Sequence, residues 1–249
     1  MLGRTLRAAL LTRCQTARVP SSVLGRPAAP RAQAFSWERS VARELDGQPD
    51  AVLWGLLGIN GAVFAAWQVV DPRLMARHFT VSHDALRSGR LHTLVTSSVS
   101  HRDGWHLAGN GLSLYFFGRE VGRLFGGARL AGLYLAGGVV ASLSHVAWSR
   151  VRQPEHQRRL AYFAPPSPAA MGASGAVNAI IVFDTLMFPW RIIYVNFLVP
   201  VPAIVLGGLV LLRDAYGAGQ LSDGVAHAGH LGGAATGLAA WAQLRLRLR

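Results

Sequence analysis

Residues 51–70, AVLWGLLGINGAVFAAWQVV, decide the class of this protein: the run carries no charge and is closed by Asp71-Pro72. A helix needs about 20 apolar residues to cross the hydrocarbon core of a bilayer, so this run spans. Working outward, the same reading finds Trp105–Gly118, which reaches a spanning length if its helix starts near Ser98. Leu130–Trp148, Met171–Trp190, Ile192–Leu212 and Val225–Leu244 complete the set. The expectation is an all-α polytopic membrane protein with six transmembrane helices over residues 50–249, preceded by a basic segment over residues 1–49.

Composition agrees. Of the 249 residues, 51% are hydrophobic and 15% charged, against about 25% charged in a soluble domain. The 28 glycines suit helices that approach closely in lipid. The net charge of +13 does not indicate nucleic acid. Arg4, Arg7, Arg13, Arg18, Arg26, Arg31, Arg39 and Arg43 precede the first span, and most of the rest lie between spans, with no basic face of the kind a nucleic-acid groove requires. Cys14 is the one cysteine, which excludes an internal disulfide framework and a cysteine metal site. From Met1 to Trp37 there are six arginines and no acidic residue. That is the make-up of an organelle transit peptide, directing the chain to the mitochondrial inner membrane or, alternatively, a chloroplast membrane.

The connections differ in character. Asp71–Ser100 mixes apolar and charged residues and reads as short amphipathic pieces resting in the interface. Arg150–Pro168 is a charged, then proline-rich linker, and Phe188-Pro189-Trp190-Arg191 a tight turn between spans four and five. Spans two, four and six all begin on one membrane face. At those beginnings lie His101 and His106, Ser174, and His227 and His230.

Span four opens Gly172-Ala173-Ser174-Gly175. The glycines leave the serine hydroxyl unobstructed, and a helix start supplies free N–H groups to an oxyanion. Taken alone, the pattern is better explained by small-residue helix packing. In span six, Gly229, Gly233 and Gly237 recur every four residues and form a groove for a neighbouring backbone. At about 100° per residue, His230 lies nearer that stripe than His227 does. His230 is thus the histidine placed to face a packed helix, and His227 reads as a solvated flank. An ionisable group inside a membrane is a functional hypothesis by default, with helix packing as its plainer role. In span two, His106 and Asn110 are four apart and share a face. The plainer reading there is interhelical hydrogen bonding, which suits His101 at the aqueous end.

Together these residues resemble the rhomboid intramembrane serine proteases. Gly172-Ala173-Ser174-Gly175 is similar to their G-x-S-G motif. His230 with Gly233 and Gly237 is similar to A-H-x-x-G-x-x-x-G, Gly229 replacing the alanine. His101, His106 and Asn110 match H-x4-H-x3-N. The resemblance covers about Ala51 to Leu244 and implies a six-helix rhomboid bundle. It also implies Ser174 as nucleophile, His230 as general base, and an oxyanion hole from His106, Asn110 and the Ser174 N–H. His101, Gly172, Gly175, Gly233 and Gly237 are supporting residues. Where the family often has Trp-Arg in its first long loop, this chain reads Gly89-Arg90-Leu91-His92. Many mitochondrial members carry an additional N-terminal span, which residues 1–49 do not supply.

Peptide hydrolysis in a bilayer needs an activated nucleophile, an anion site and water within a protein-walled cavity. No carboxylate is placed in sequence to orient His230: Asp184 lies about 15 Å along the helix from Ser174, and Asp223 precedes span six. A Ser174/His230 dyad is therefore expected, with Asp184 a structural or snorkelling acid near the opposite face. The expected partners are the lipid bilayer and transmembrane proteins whose helices carry a weak segment, admitted by a span five that flexes at Pro200 and Pro202. No cofactor or metal is expected. Rival readings are a haem or metal protein using the histidines as ligands, and a non-catalytic rhomboid-like protein that binds transmembrane helices.

Overall fold

The computed structural model describes residues 37–152, 169–195, 198–219 and 226–247. The basic leader through residue 36, residues 153–168 of the linker, and Asp223 lie outside the described residues.

Helix α1 (Trp37–Gly47) leads into α2 (Pro49–Val69), whose first turn carries Pro49 and Asp50, both favourable at a helix N-terminus. The loop that follows forms three short helices, α3 (Pro72–Phe79), α4 (His83–Arg87) and α5 (Thr93–Thr96), and a 3₁₀ turn at Ser97–Val99. Asp71 caps α3 by accepting from Arg73 N at 2.7 Å, and Ser82 caps α4 by accepting from Ala85 N at 3.1 Å. Arg90, in the stretch that departs from the family's Trp-Arg, anchors this loop by donating to the Arg77 carbonyl at 3.0 Å.

The next rod runs continuously through α6 (Gly104–Ser113), a π turn at Leu114–Gly118 and α7 (Arg119–Phe125), roughly 33 Å at 1.5 Å per residue. The expected start near Ser98 is corrected. Asp103 is the N-cap and accepts from His106 N at 2.8 Å, so His101 precedes the helix rather than lying in it. The missing length comes from the far end, which continues past Gly118 until Gly126 turns the chain at φ +92°.

Helix α8 (Gly127–Arg152), α9 (Ser174–Met187), α10 (Ala203–Gly219) and α11 (His227–Arg247) complete the helices of the described residues. The fifth segment is also corrected. Ile192–Val195 and Val199–Pro202 are not helical: the first forms strand β1 and the second strand β2, paired antiparallel, with Ile192 opposite Pro202 and Val195 opposite Val199. β-branched side chains favour strands, and prolines are tolerated at strand edges but break a helix interior. Pro200 and Pro202 thus precede α10 and are no hinge within it. Among the described residues, two helices, Pro49–Val69 and Gly127–Val151, are long and apolar enough to cross a membrane.

Helix α9 is the central element. Ala176, Ile180 and Phe183 are fully buried, and with Leu53, Leu114, Leu130 and Tyr134 they form the core. Tyr134 satisfies its buried hydroxyl by accepting from Asn60 Nδ2 at 2.8 Å and donating to the Ser98 carbonyl at 2.8 Å, tying α2, α8 and the long loop together. Asp184 is buried and pairs with Arg191 at 2.9 Å, which also reaches Glu120 at 3.2 Å. It is therefore a structural acid, as expected.

Candidate active site

Close approach of three helices creates the site. A Cβ built on Gly233 of α11 would lie 2.7 Å from the Gly175 carbonyl carbon of α9, and one on Gly237 would run into the Ala179 carbonyl. Gly175 in turn faces Ala141 of α8, leaving no room for a side chain. The glycine stripe thus lets α11 lie backbone to backbone on α9, and this brings His230 to the first residue of α9. Ser174 Oγ and His230 Nε2 are 2.8 Å apart.

The other imidazole nitrogen reveals what sequence reasoning missed. His230 Nδ1 donates to Asp214 Oδ1 of α10 at 3.0 Å. The expected dyad is corrected to a serine–histidine–carboxylate chain. His227 Nδ1 meets the same oxygen at 2.7 Å, and its ring lies against Gly217, so His227 is buried rather than a solvated flank. A signal for Asp214 was present. In the expected six-span order the end of the fifth helix and the start of the sixth share a side, and Asp214 sits about one turn before the end of α10.

The histidine motif gathers beside the serine in two layers. Gly172 has φ +130°, a left-handed conformation suited to glycine, and a Cβ there would strike the His106 ring, so His106 lies directly over the turn into α9. His101 packs edge-on against His106 with centroids 4.9 Å apart. Its Nε2 accepts from Ala173 N at 3.3 Å and from Asn110 Nδ2 at 3.2 Å. Asn110 Nδ2 also donates to the His106 carbonyl at 3.0 Å. Both Asn110 amide protons are thereby engaged within the protein, and His101 is the link that holds the residue before Ser174.

The long loop secures the same turn. Gly172 N donates to the Ser97 carbonyl at 2.9 Å, and Val81 and Ala170 exchange a pair of 2.9 Å backbone bonds. Beside Ser174 and His230 a cavity of about 30 Å³, bordered by Ser97, Ser142 and His145, has the volume and polar groups to hold a water.

The described residues thus combine two membrane-length helices with a serine–histidine–aspartate chain where packed helices meet. The chain belongs to the rhomboid family: residues 88–247 match the Rhomboid domain. It is 40% identical over 198 residues to RHOMBOID-like protein 12, mitochondrial, of Arabidopsis thaliana, covering 78% of this chain and 58% of that protein. It is 33% identical over 205 residues to Rhomboid-like protein 16, chloroplastic, of Arabidopsis thaliana (79% and 63%). With Rhomboid protein 1, mitochondrial, of Saccharomyces cerevisiae it shares 29% over 192 residues (76% and 52%). The chain spans between about half and two thirds of the length of these relatives. The expected mitochondrial membrane location agrees with the relatives of mitochondrial name, and of the two plant proteins the chloroplast one is the more distant.

Proposed function

We propose that this chain is an intramembrane serine endopeptidase that cleaves transmembrane segments of other membrane proteins. The observation that carries the reading is the 2.8 Å contact between Ser174 Oγ and His230 Nε2. His230 Nε2 takes the hydroxyl proton as Ser174 Oγ attacks the scissile carbonyl, and Asp214 holds the Nδ1 proton and steadies the imidazolium that forms. The tetrahedral oxyanion is met by the Ser174 N–H, by His106 and by Asn110, which exchanges its long contact with His101 for the developing charge. His230 returns the proton to the leaving amine, and a water from the adjacent cavity hydrolyses the acyl-enzyme by the same path.

Six spans, with residues 50–249 as the protease domain and 1–49 as leader and linker, put this chemistry below the membrane surface. Helix α9 is only roughly 21 Å long at 1.5 Å per residue, against a hydrocarbon core of about 30 Å. With its far end held at the interface by Trp190 and Arg191, Ser174 lies about 9 Å inside the core. The proposed site is the mitochondrial inner membrane. Serine-directed fluorophosphonate labelling of detergent-solubilised protein tests the reading, with cleavage of a reconstituted transmembrane substrate. Wild type is labelled and cleaves, and Ser174→Ala does neither while remaining folded. A folded wild-type protein that is neither labelled nor active would instead be a non-catalytic, helix-binding rhomboid-like protein.

A further inference from the structure

The carboxylate of Asp214 is shared in a way that the hydrolytic chain does not need. Two imidazoles, His227 at 2.7 Å and His230 at 3.0 Å, aim their Nδ1 atoms at one oxygen, Oδ1. The other oxygen, Oδ2, is buried with no hydrogen-bond partner among the described residues. The ligand atoms of the three residues all lie within 4.8 Å of one another. We propose that Asp214, His227 and His230 form a divalent-cation site, matched to Zn²⁺, whose occupation switches the catalytic base off.

The donor set carries the choice of ion. Two imidazole nitrogens and one carboxylate, with a fourth position left to water, are ligands that zinc accepts. Zinc bonds of about 2.0–2.2 Å in a tetrahedral arrangement separate neighbouring ligand atoms by roughly 3.3 Å. The two contacts at 2.7 and 3.0 Å therefore need to open by about half an ångström, and the two imidazole nitrogens, within 4.8 Å of each other, to draw together by at most about 1.5 Å. A cation also neutralises the buried carboxylate and satisfies Oδ2, whose lone pairs are costly to leave unmet. Access runs along His230, whose side chain is 17% exposed while those of Asp214 and His227 are each 2%.

The effect on the base follows from proton accounting. In the metal-free site His230 keeps its proton on Nδ1, facing Asp214, and offers the Nε2 lone pair to Ser174. Zinc takes the Nδ1 lone pair, so the neutral ring carries its proton on Nε2 instead. His227 changes tautomer in the same way, and no proton is gained or lost. A protonated Nε2 donates to Ser174 Oγ and cannot accept from it. The metal-binding part of this proposal is independent of the protease reading, and the inhibition rests on it.

The test is titration of the untagged full chain in detergent with ZnCl₂, binding followed by calorimetry and by the rate of fluorophosphonate labelling. Wild type binds zinc at this site, labelling slows as it fills, and EDTA restores it. His227→Gln and Asp214→Asn weaken that binding by more than about tenfold. Ser174→Ala, on the Nε2 side of the ring, binds zinc as wild type does. Undiminished binding in both His227→Gln and Asp214→Asn would overturn the proposal and move the metal elsewhere, for instance to His78 and His92, whose rings stack 5.2 Å apart. Should Asp214→Asn fail to fold, His227→Gln alone decides. Should wild type never label, the protease reading fails while the calorimetry still decides the metal site.

Discussion

Gly233→Ala tests whether backbone contact between α9 and α11 sets the reactive distance. The new Cβ would run into the Gly175 carbonyl oxygen and sit 2.7 Å from its carbon, and ordinary contact begins at 3.4 Å, so the helices must part by more than 0.7 Å. Gly175 adjoins Ser174, and Gly233 lies one turn beyond His230. The 2.8 Å hydrogen bond therefore stretches past about 3.5 Å, the limit beyond which it no longer counts as one. A misplacement near 1 Å costs about 10²-fold in rate, or ~2.7 kcal/mol of barrier. Stability changes less. Overpacking costs about 1–3 kcal/mol, partly offset by the ~1 kcal/mol that alanine gains over glycine in a helix. The assay is the fluorophosphonate labelling rate per folded molecule, read beside thermal unfolding in the same detergent. Gly58→Ala in α2, where a Cβ meets nothing within 4 Å, serves as control and should label at the wild-type rate. Labelling of Gly233→Ala within twofold of wild type, with unchanged unfolding, would refute the argument that this contact positions the catalytic pair.

Four further outcomes are expected. Asp214→Asn removes the charge that steadies imidazolium and permits the wrong His230 tautomer, so turnover should fall by about 10²–10⁴ with His106 and Ser174 geometry intact. His106→Ala should slow turnover by about 10²–10³ while leaving Ser174 open to fluorophosphonate, because the nucleophile and its base are untouched. Arg191→Ala strands the buried Asp184 carboxylate and should cost about 3 kcal/mol of stability, seen as a lowered melting temperature. Residues 1–37 fused to a fluorescent protein should carry it into mitochondria. Plastid import would move the compartment, and a diffuse cytosolic signal would remove the targeting role without touching the protease reading.

Hydropathy and residue spacing are local properties, and what depends on them was legible in the chain. The uncharged run at 51–70 became α2, the glycine stripe in α11 became the contact with α9, and Ser174 and His230 met as their helical faces required. The weak points were boundaries. A single capping carboxylate, Asp103, moved the start of α6 past His101, and a pair of prolines with β-branched neighbours made Ile192–Val195 and Val199–Pro202 paired strands where an apolar helix was expected.

Partners on different helices were decided only by tertiary packing. Asp214 stands beside an arginine at the end of an apolar run, and no spacing rule joins it to His230. The pairing exists because the end of α10 packs beside the start of α11 and Gly217 leaves room for the His227 ring. The same holds for Asn110. Its sequence position allows an amide aimed at the oxyanion, and packing engages both its donors, on His101 and the His106 carbonyl, so that an oxyanion is met only by exchange of the longer contact. A helical pattern states which residues share a face. Which atom across the gap each one meets depends on how closely two backbones approach, and here that was set by glycines, which present no side chain of their own.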